Sequence, residues 1–291
     1  QTAARQTRAD WFSQLPPHLQ SYYADARGMT GQELFDTLHK IVARNHKPLE
    51  YGAARAYMYG IADNFAPRGQ KGLVDVYSDL FIPGSTGNGN DYRERSDENR
   101  DGTSGDFINC EHTWPQSFFN KSLPMVSDMH HLFPTLSKPN GMRGHHPFGM
   151  ASEGNVVYTT ASGSKLAVKG GLRQGISFSS VPDPEKGILP FGNQDAVFEP
   201  GDHQKGNTAR GLLYFYLRYH DQNIRSGEFD ALNFWNKRVS LFHQWADQVD
   251  PVDERERARD ELIFQKQGNR NPFIDIPNLT SLIGEPVLAK G

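Results

Sequence analysis

Cys110-Glu111-His112-Thr113-Trp114-Pro115-Gln116-Ser117 opens the densest run of reactive side chains in the chain. Ser127-Asp128-Met129-His130-His131-Leu132-Phe133-Pro134 and then Asn140-Gly141-Met142-Arg143 follow it. Glu111 is a hard oxygen ligand, His112 accepts a proton near neutral pH, Asn140 offers a neutral carbonyl oxygen, and Arg143 offers a planar fork of donors. Those residue types suit a phosphodiester. A divalent cation on a carboxylate and an amide keeps open positions and can polarise a phosphate oxygen, while a neutral imidazole takes a proton from water.

Side chains alternate along a strand, so Glu111 and His112 can serve one site only if the strand ends or bulges there. Pro115 is consistent with such a break. Pro139 fits a first helical position, which places Asn140 and Arg143 on one helix face three residues apart. Strand, return segment and helix would then bring base, ligand and phosphate anchor together.

Outward from this centre, Thr30 and Glu33 have the spacing of a capping box, and Leu34, Leu38, Ile41 and Val42 line one face of the helix it would start. A second helix is expected over 51–61, with strands over 73–77, 107–110, 156–158 and 165–168. Helices are expected over 208–220, 230–247 and 253–267, the last opened by Asp253 and closed by Gly268. The fold class is α+β, with helices at both ends of a small irregular β centre. A single domain of 291 residues is expected, helical over about 1–65, β-centred over about 70–175 and helical again over about 205–275.

Composition narrows the function. The single cysteine, Cys110, excludes an internal disulfide, and the formal charge of −3 excludes a uniformly basic coat for nucleic acid. No apolar run is long enough for a membrane span. From Met129 to Ser180, Lys138, Arg143, Lys165, Lys169 and Arg173 stand against Glu153 alone, a candidate phosphate track. Asp97, Asn99 and Asp101 match the first half of a calcium loop, although its twelfth position is Ile108 rather than Glu. They mark a candidate structural Ca2+ position. His130 and His131 are expected in packing or ligand-orienting roles, and His145 and His146 in a solvated loop. A zinc site on these four is disfavoured, because they lack the i, i+4 spacing of a helical zinc motif.

The motifs taken together resemble the endonuclease I family of secreted and periplasmic non-specific nucleases, built on a His-Me finger or ββα-metal site. The resemblance rests on the three motifs above, on Gln267-Gly268-Asn269-Arg270-Asn271-Pro272-Phe273-Ile274-Asp275, on the Thr30 helix and on the Ala209-Arg210 helix start. It implies that His112 is the general base and that Glu111 and Asn140 hold one Mg2+ or Mn2+ ion. It further implies that Arg143 serves catalysis and that Arg143, Lys121, Arg210 and Arg270 are nucleic-acid contacts. DNA and RNA would be cut to 5′-phosphate ends by a monomer that binds no membrane. The resemblance also implies a secreted or periplasmic location, and with Gln1 rather than Met as first residue a removed signal peptide is expected.

Two features depart from the family pattern. Val126 stands where some members carry a glutamate, and the segment from Asn120 to Val126 lacks the family's phosphate-contacting arginine, offering only Lys121. Lys121, Arg143 or another arginine must supply that charge. The rival reading is a nucleic-acid-binding protein of the same fold with weak or no turnover.

Overall fold

The structure, a computed structural model, describes residues 10–65, 69–84, 108–170, 195–227 and 229–290. The candidate calcium loop at Asp97, Asn99 and Asp101 and the basic residue Arg173 lie outside them. The α+β expectation holds. The helices are α1 (Pro17–Tyr22), α2 (Gly31–Arg44), α3 (Tyr51–Tyr57), α4 (Ser137–Arg143), α5 (Asp202–Tyr219), α6 (Val239–Gln244) and α7 (Glu254–Gln267), followed by short turns. The strands are β1 (Gly72–Val74), β2 (Phe81–Pro83), β3 (Ile108–His112), β4 (Leu132–Leu136), β5 (Asn155–Thr159), β6 (Lys165–Val168) and β7 (Ala196–Glu199). They pair antiparallel as β1-β2, β3-β4 and β5-β6-β7.

Helix α2 begins where Thr30 places it, with Thr30 extended at the N-cap, but the Thr30 side chain makes no capping hydrogen bond. Its apolar stripe is buried as the spacing predicts. Helix α7 follows its signals closely: the Asp253 side chain accepts from the Glu256 amide at 2.7 Å, and Gly268 closes it at φ 84°. The expected 230–247 helix is instead split. Only Val239–Gln244 is α-helical, between wider turns at Leu232–Asn236 and Trp245–Val249.

The strand expected over 73–77 stops at Val74. Buried Asp75 interrupts it by accepting from the Tyr77 amide at 3.2 Å, from Thr135 Oγ1 at 2.7 Å and from the Ser78 hydroxyl. Strand β3 runs two residues further than expected, through His112, pairing Glu111 with Phe133 and His112 with Leu132. The return segment becomes β4, and α4 follows at once, giving strand, strand and helix in order. Helix α4 starts at Ser137, so Pro139 is its third residue rather than its first, a position whose amide has no intrahelical partner in any case. Strand β7 carries no sequence expectation. It is four buried residues paired to β6.

Helix α5 is the axis of the core. Nearly every residue from Gln204 to Tyr219 is buried. Trp114 stacks on Phe215 at 5.2 Å and Trp235 on Tyr216 at 4.8 Å. Gly211 lets the helix approach the centre: a Cβ there would lie 3.4 Å from the His130 carbonyl and from Phe133.

Asp128, wholly buried, fastens three distant parts of the chain. Its Oδ2 accepts from the hydroxyls of Tyr214 and Tyr219, each at 2.7 Å, and its Oδ1 from Gln267 Nε2 at 2.7 Å and the His130 amide at 3.2 Å. Gln267 Oε1 in turn accepts from the Met129 amide, and Asn269 Nδ2 donates to the Val42 carbonyl and the Tyr214 hydroxyl. Burial alone would push the Asp128 carboxyl up, but His46, His130, His131 and the Tyr219 hydrogen bond hold it below the usual carboxylate range. Removing the carboxylate strands four buried donors. Asp128→Ala is expected to lower unfolding free energy by at least about 3 kcal/mol, and Tyr219→Phe, which removes one bond, by about 1 kcal/mol, both read from urea denaturation.

Candidate active site at the end of strand β3

The β3-β4 ribbon sorts its side chains by face. Ile108, Cys110, Leu132 and Leu136 pack with Ala54, Met58 and Ile263, on the side of helix α3. Cys110 is thus the small buried residue expected. His112, two positions on from Cys110, ends this face. Its ring lies 5.6 Å from Tyr51, 6.3 Å from Phe119 and 5.6 Å from His131.

Glu111 points to the other face, 1% exposed, beside the buried Tyr77 hydroxyl and the Arg143 guanidinium. The break that would turn Glu111 and His112 the same way is therefore absent, since pairing stays regular to the end of β3. The two share the strand terminus instead. Arg143 joins them: Nη1 donates to the His112 carbonyl at 3.2 Å and lies 3.2 Å from Glu111 Oε1. Its Nη2 donates to the Thr113 carbonyl at 2.7 Å.

The imidazole is fixed by a backbone group. His112 Nε2 lies 3.0 Å from the Val126 carbonyl, which can only accept, so Nε2 carries the proton and Nδ1 the lone pair. Burial pulls the ring's pKa down to about 3, helped by His131 and Arg143 and opposed by the carbonyls of Val126 and Cys110. The ring is neutral at physiological pH. Burial likewise pushes the Glu111 carboxyl up to about 7, with Arg143 and Tyr77 opposing.

Beyond the Arg143 ion pair, buried Glu111 Oε1 has no hydrogen bond of good geometry. Asn140, one helical turn before Arg143, is half-buried on the helix that packs against the ribbon. One carboxylate oxygen and one amide oxygen are a hard donor set that fits Mg2+ or Mn2+ with several waters retained. Among the described residues, no group of three His, Cys, Asp or Glu side chains is arranged to hold a metal ion.

The basic residues fall differently from the expectation. Arg143 is 2% exposed, its guanidinium carbon 4.3 Å from the Phe148 ring centroid, so it faces protein rather than solvent. Arg210 is 1% exposed and grips Glu256 through Nε and Nη2 at 2.7 and 2.6 Å, with the Ala246 and Asp250 carbonyls on Nη1. Arg270 is 5% exposed among Glu261, Asp260 and Asp275. As placed, these three hold the interior together and present no donors to a polyanion. Lys121 alone of the four is exposed, just beyond the turn that carries Phe119. Lys138 and Lys169 are also exposed, Lys169 beside Asp195.

The histidines of the centre are interior groups. His130 Nε2 donates to the Asn269 carbonyl at 2.9 Å and His131 Nε2 to the Met125 carbonyl at 2.7 Å. His145 is exposed as expected, but His146 is buried, contrary to the solvated role its loop suggests. The sequence reading missed Tyr77 beside Glu111, Tyr51 and Phe119 against His112, and the Val126 carbonyl. The first three lie far off or inside apolar patterns, and a carbonyl leaves no trace in the sequence.

The comparisons with known proteins make the chain a nuclease, a phosphodiester hydrolase. The Endonuclease I family profile matches residues 30–278, and the chain belongs to that family. It is 30% identical over 268 residues to the extracellular ribonuclease of Bacillus subtilis (strain 168), covering 88% of this chain and 76% of the relative. With the extracellular ribonuclease of Bacillus amyloliquefaciens it shares 27% identity over 269 residues, 89% and 76% of the two chains. No helix among the described residues is long and apolar enough to cross a membrane.

The buried His131 supplies a pH test. Burial pulls it down to about 4 against the attraction of Asp128 and the Met125 carbonyl. The unfolded ring, near 6.5, binds a proton before the folded one does, so His131 subtracts stability as pH falls from about 6.5 to about 4. His131→Gln keeps a donor for Met125 but has no such titration. Its stability deficit relative to wild type is expected to shrink by up to about 1.4 kcal/mol per pH unit across that window. Urea titrations at stepped pH measure it, and a deficit constant with pH contradicts the assignment.

Proposed function

We propose that the chain is a divalent-metal-dependent endonuclease, secreted like its named relatives, that hydrolyses RNA and DNA with little sequence preference to 5′-phosphate products. In this reading β3, β4 and α4 are the His-Me finger. The observation that carries it is the state of His112: neutral, proton fixed on Nε2 by the Val126 carbonyl, and lone pair left on Nδ1. That is the state a general base must hold before it can act.

Glu111 and Asn140 are the residues that would hold the ion, which when bound supplies positive charge to a phosphate oxygen and the departing 3′ oxygen. His112 Nδ1 takes the proton of the attacking water, and the Nε2 hydrogen bond to Val126 keeps the ring from turning as it becomes charged. Arg143 acts as a positioning residue in place of a direct phosphate clamp. It secures the carbonyls of His112 and Thr113 and lies against Glu111, so base and acid keep their places at the strand terminus. Tyr51 and Phe119 border the ring and exclude bulk water from it. Lys121, exposed near this edge, offers charge to the substrate backbone.

His112→Ala is expected to reduce cleavage of RNA and plasmid DNA at least a thousandfold while circular dichroism and DNA retention in gel shifts stay close to wild type. EDTA should abolish cutting, with Mg2+ or Mn2+ restoring it. Wild-type rates from the alanine variant, or full activity in EDTA, defeat the proposed chemistry.

A further inference from the structure

We infer that Arg218, in the last turn of α5, and His46, in the connection between α2 and α3, form an anion site that takes a phosphate group. The inference draws on the nuclease family to which the chain belongs, whose substrates carry phosphates, and not on the role given to His112.

Arg218 is the exception among the buried arginines. Arg143, Arg210, Arg238 and Arg270 each lie against a carboxylate. Arg218 is as enclosed as they are, 9% exposed, yet among the described residues no carboxylate pairs with it and no carbonyl accepts from it. Its Nε is shut off from water with nothing to accept its proton, while the terminal Nη1 and Nη2 still meet solvent. The guanidinium carbon lies 4.7 Å from the centroid of the Tyr219 ring. That ring is pinned in turn, because the Tyr219 hydroxyl donates to Asp128 at 2.7 Å. The fork of donors therefore rests on a platform that cannot swing away.

His46 shares the deficit: its Nδ1 is buried and has no hydrogen-bond partner. The guanidinium charge is close enough to act on the His46 ring and on the Tyr214 and Tyr219 hydroxyls. Asp128 acts on the same three groups, so its field offsets part of the cost of enclosing a cation there. Its oxygens, however, are taken by Tyr214, Tyr219, Gln267 and the His130 amide, and none is left to Arg218. Buried polar groups are ordinarily paired, and a guanidinium that has lost water without gaining an acceptor is costly. A phosphate group corrects this, since its oxygens accept from a planar fork two at a time and leave another for an imidazole N–H. His46 stands five residues before Tyr51, a span of at most about 18 Å, and the Tyr51 ring is 5.6 Å from that of His112. The phosphate is either one of the substrate backbone passing toward the strand terminus or a free inorganic ion.

The test compares the full-length wild type with Arg218→Gln and Arg218→Lys, using two probes. The first is inorganic phosphate without added metal, set against chloride at equal ionic strength. Wild type should melt a few degrees higher in phosphate, with the His46 ring resonances shifting over the same titration, and Arg218→Gln should lose this increment. The second probe is a phosphorothioate oligonucleotide, which keeps the charge of a phosphodiester and resists cleavage. If the substrate backbone enters the site, Arg218→Gln should weaken its binding about tenfold and lower the slope of log affinity against log salt by about 1. Loss of the phosphate increment with oligonucleotide binding intact assigns the site to the free ion, and loss of oligonucleotide affinity assigns it to the substrate; either supports the proposal. Arg218→Lys, which keeps the charge without the fork, should fall between the two and carries the test if Arg218→Gln does not fold. A folded variant that matches wild type with both probes overturns the proposal. His112→Ala should keep both signals, so this inference and the reading of the base fail separately.

Discussion

A carboxylate with no access to water is tolerable only when its oxygens are saturated with donors, and Asp128 meets that condition. Two tyrosine hydroxyls from α5, an amide from the end of α7 and a backbone amide of its own segment converge on it. Of these donors, Gln267 Nε2 also reaches Asn269 Oδ1, at 2.8 Å, which ties the start of the C-terminal segment to the same knot. The segment from Ser127 to His131, which leads directly into β4, is therefore fixed against helices that lie 86 and 139 residues away in the chain. The His131 carbonyl in turn accepts from the Thr113 amide at 3.1 Å, immediately beyond His112. The position of the imidazole is set through this relay.

Positive charge is used in two ways. Inside, arginines act as fasteners: Arg210 joins the middle of α5 to Glu256 of α7, Arg259 joins α7 to Asp63 and to the Met129 and Leu132 carbonyls, and Arg143 closes the end of β3. Planar guanidinium groups can satisfy several carbonyls and carboxylates at once, which a lysine cannot do with the same direction. Their burial is stabilising only because every charge has a partner, and breaking one pair would leave the other charge stranded. Charge that is to meet a substrate has to sit at the edge, where water and phosphate can exchange.

Much of this was legible in the sequence, and the failures share a cause. The motifs around Glu111, Ser127, Asn140 and Gln267 located the centre, and local signals placed α2 and α7 because capping and apolar spacing act within one turn. The same motifs gave no sign that Arg210 and Arg270 are buried. A motif names the residue but not which side of a helix faces the core, and the partners Glu256 and Glu261 had no reason to be read with them. Asp128 and Gln267 looked like parts of a functional signature, yet they hold the interior together around it. Strand β4 was read only as a return segment, and the 230–247 helix was read as continuous because aromatic spacing survives the wider turns that break it. The Val126 position, read as a lost glutamate, contributes its backbone instead.

The saturation of Asp128 also imposes an order on biogenesis. Gln267 and Asn269 leave the ribosome more than 130 residues after the carboxylate they help to satisfy. Until then Asp128 lacks the Gln267 donor and the Met129 amide lacks its acceptor, so the full set of bonds around this segment closes only when residue 267 has been made.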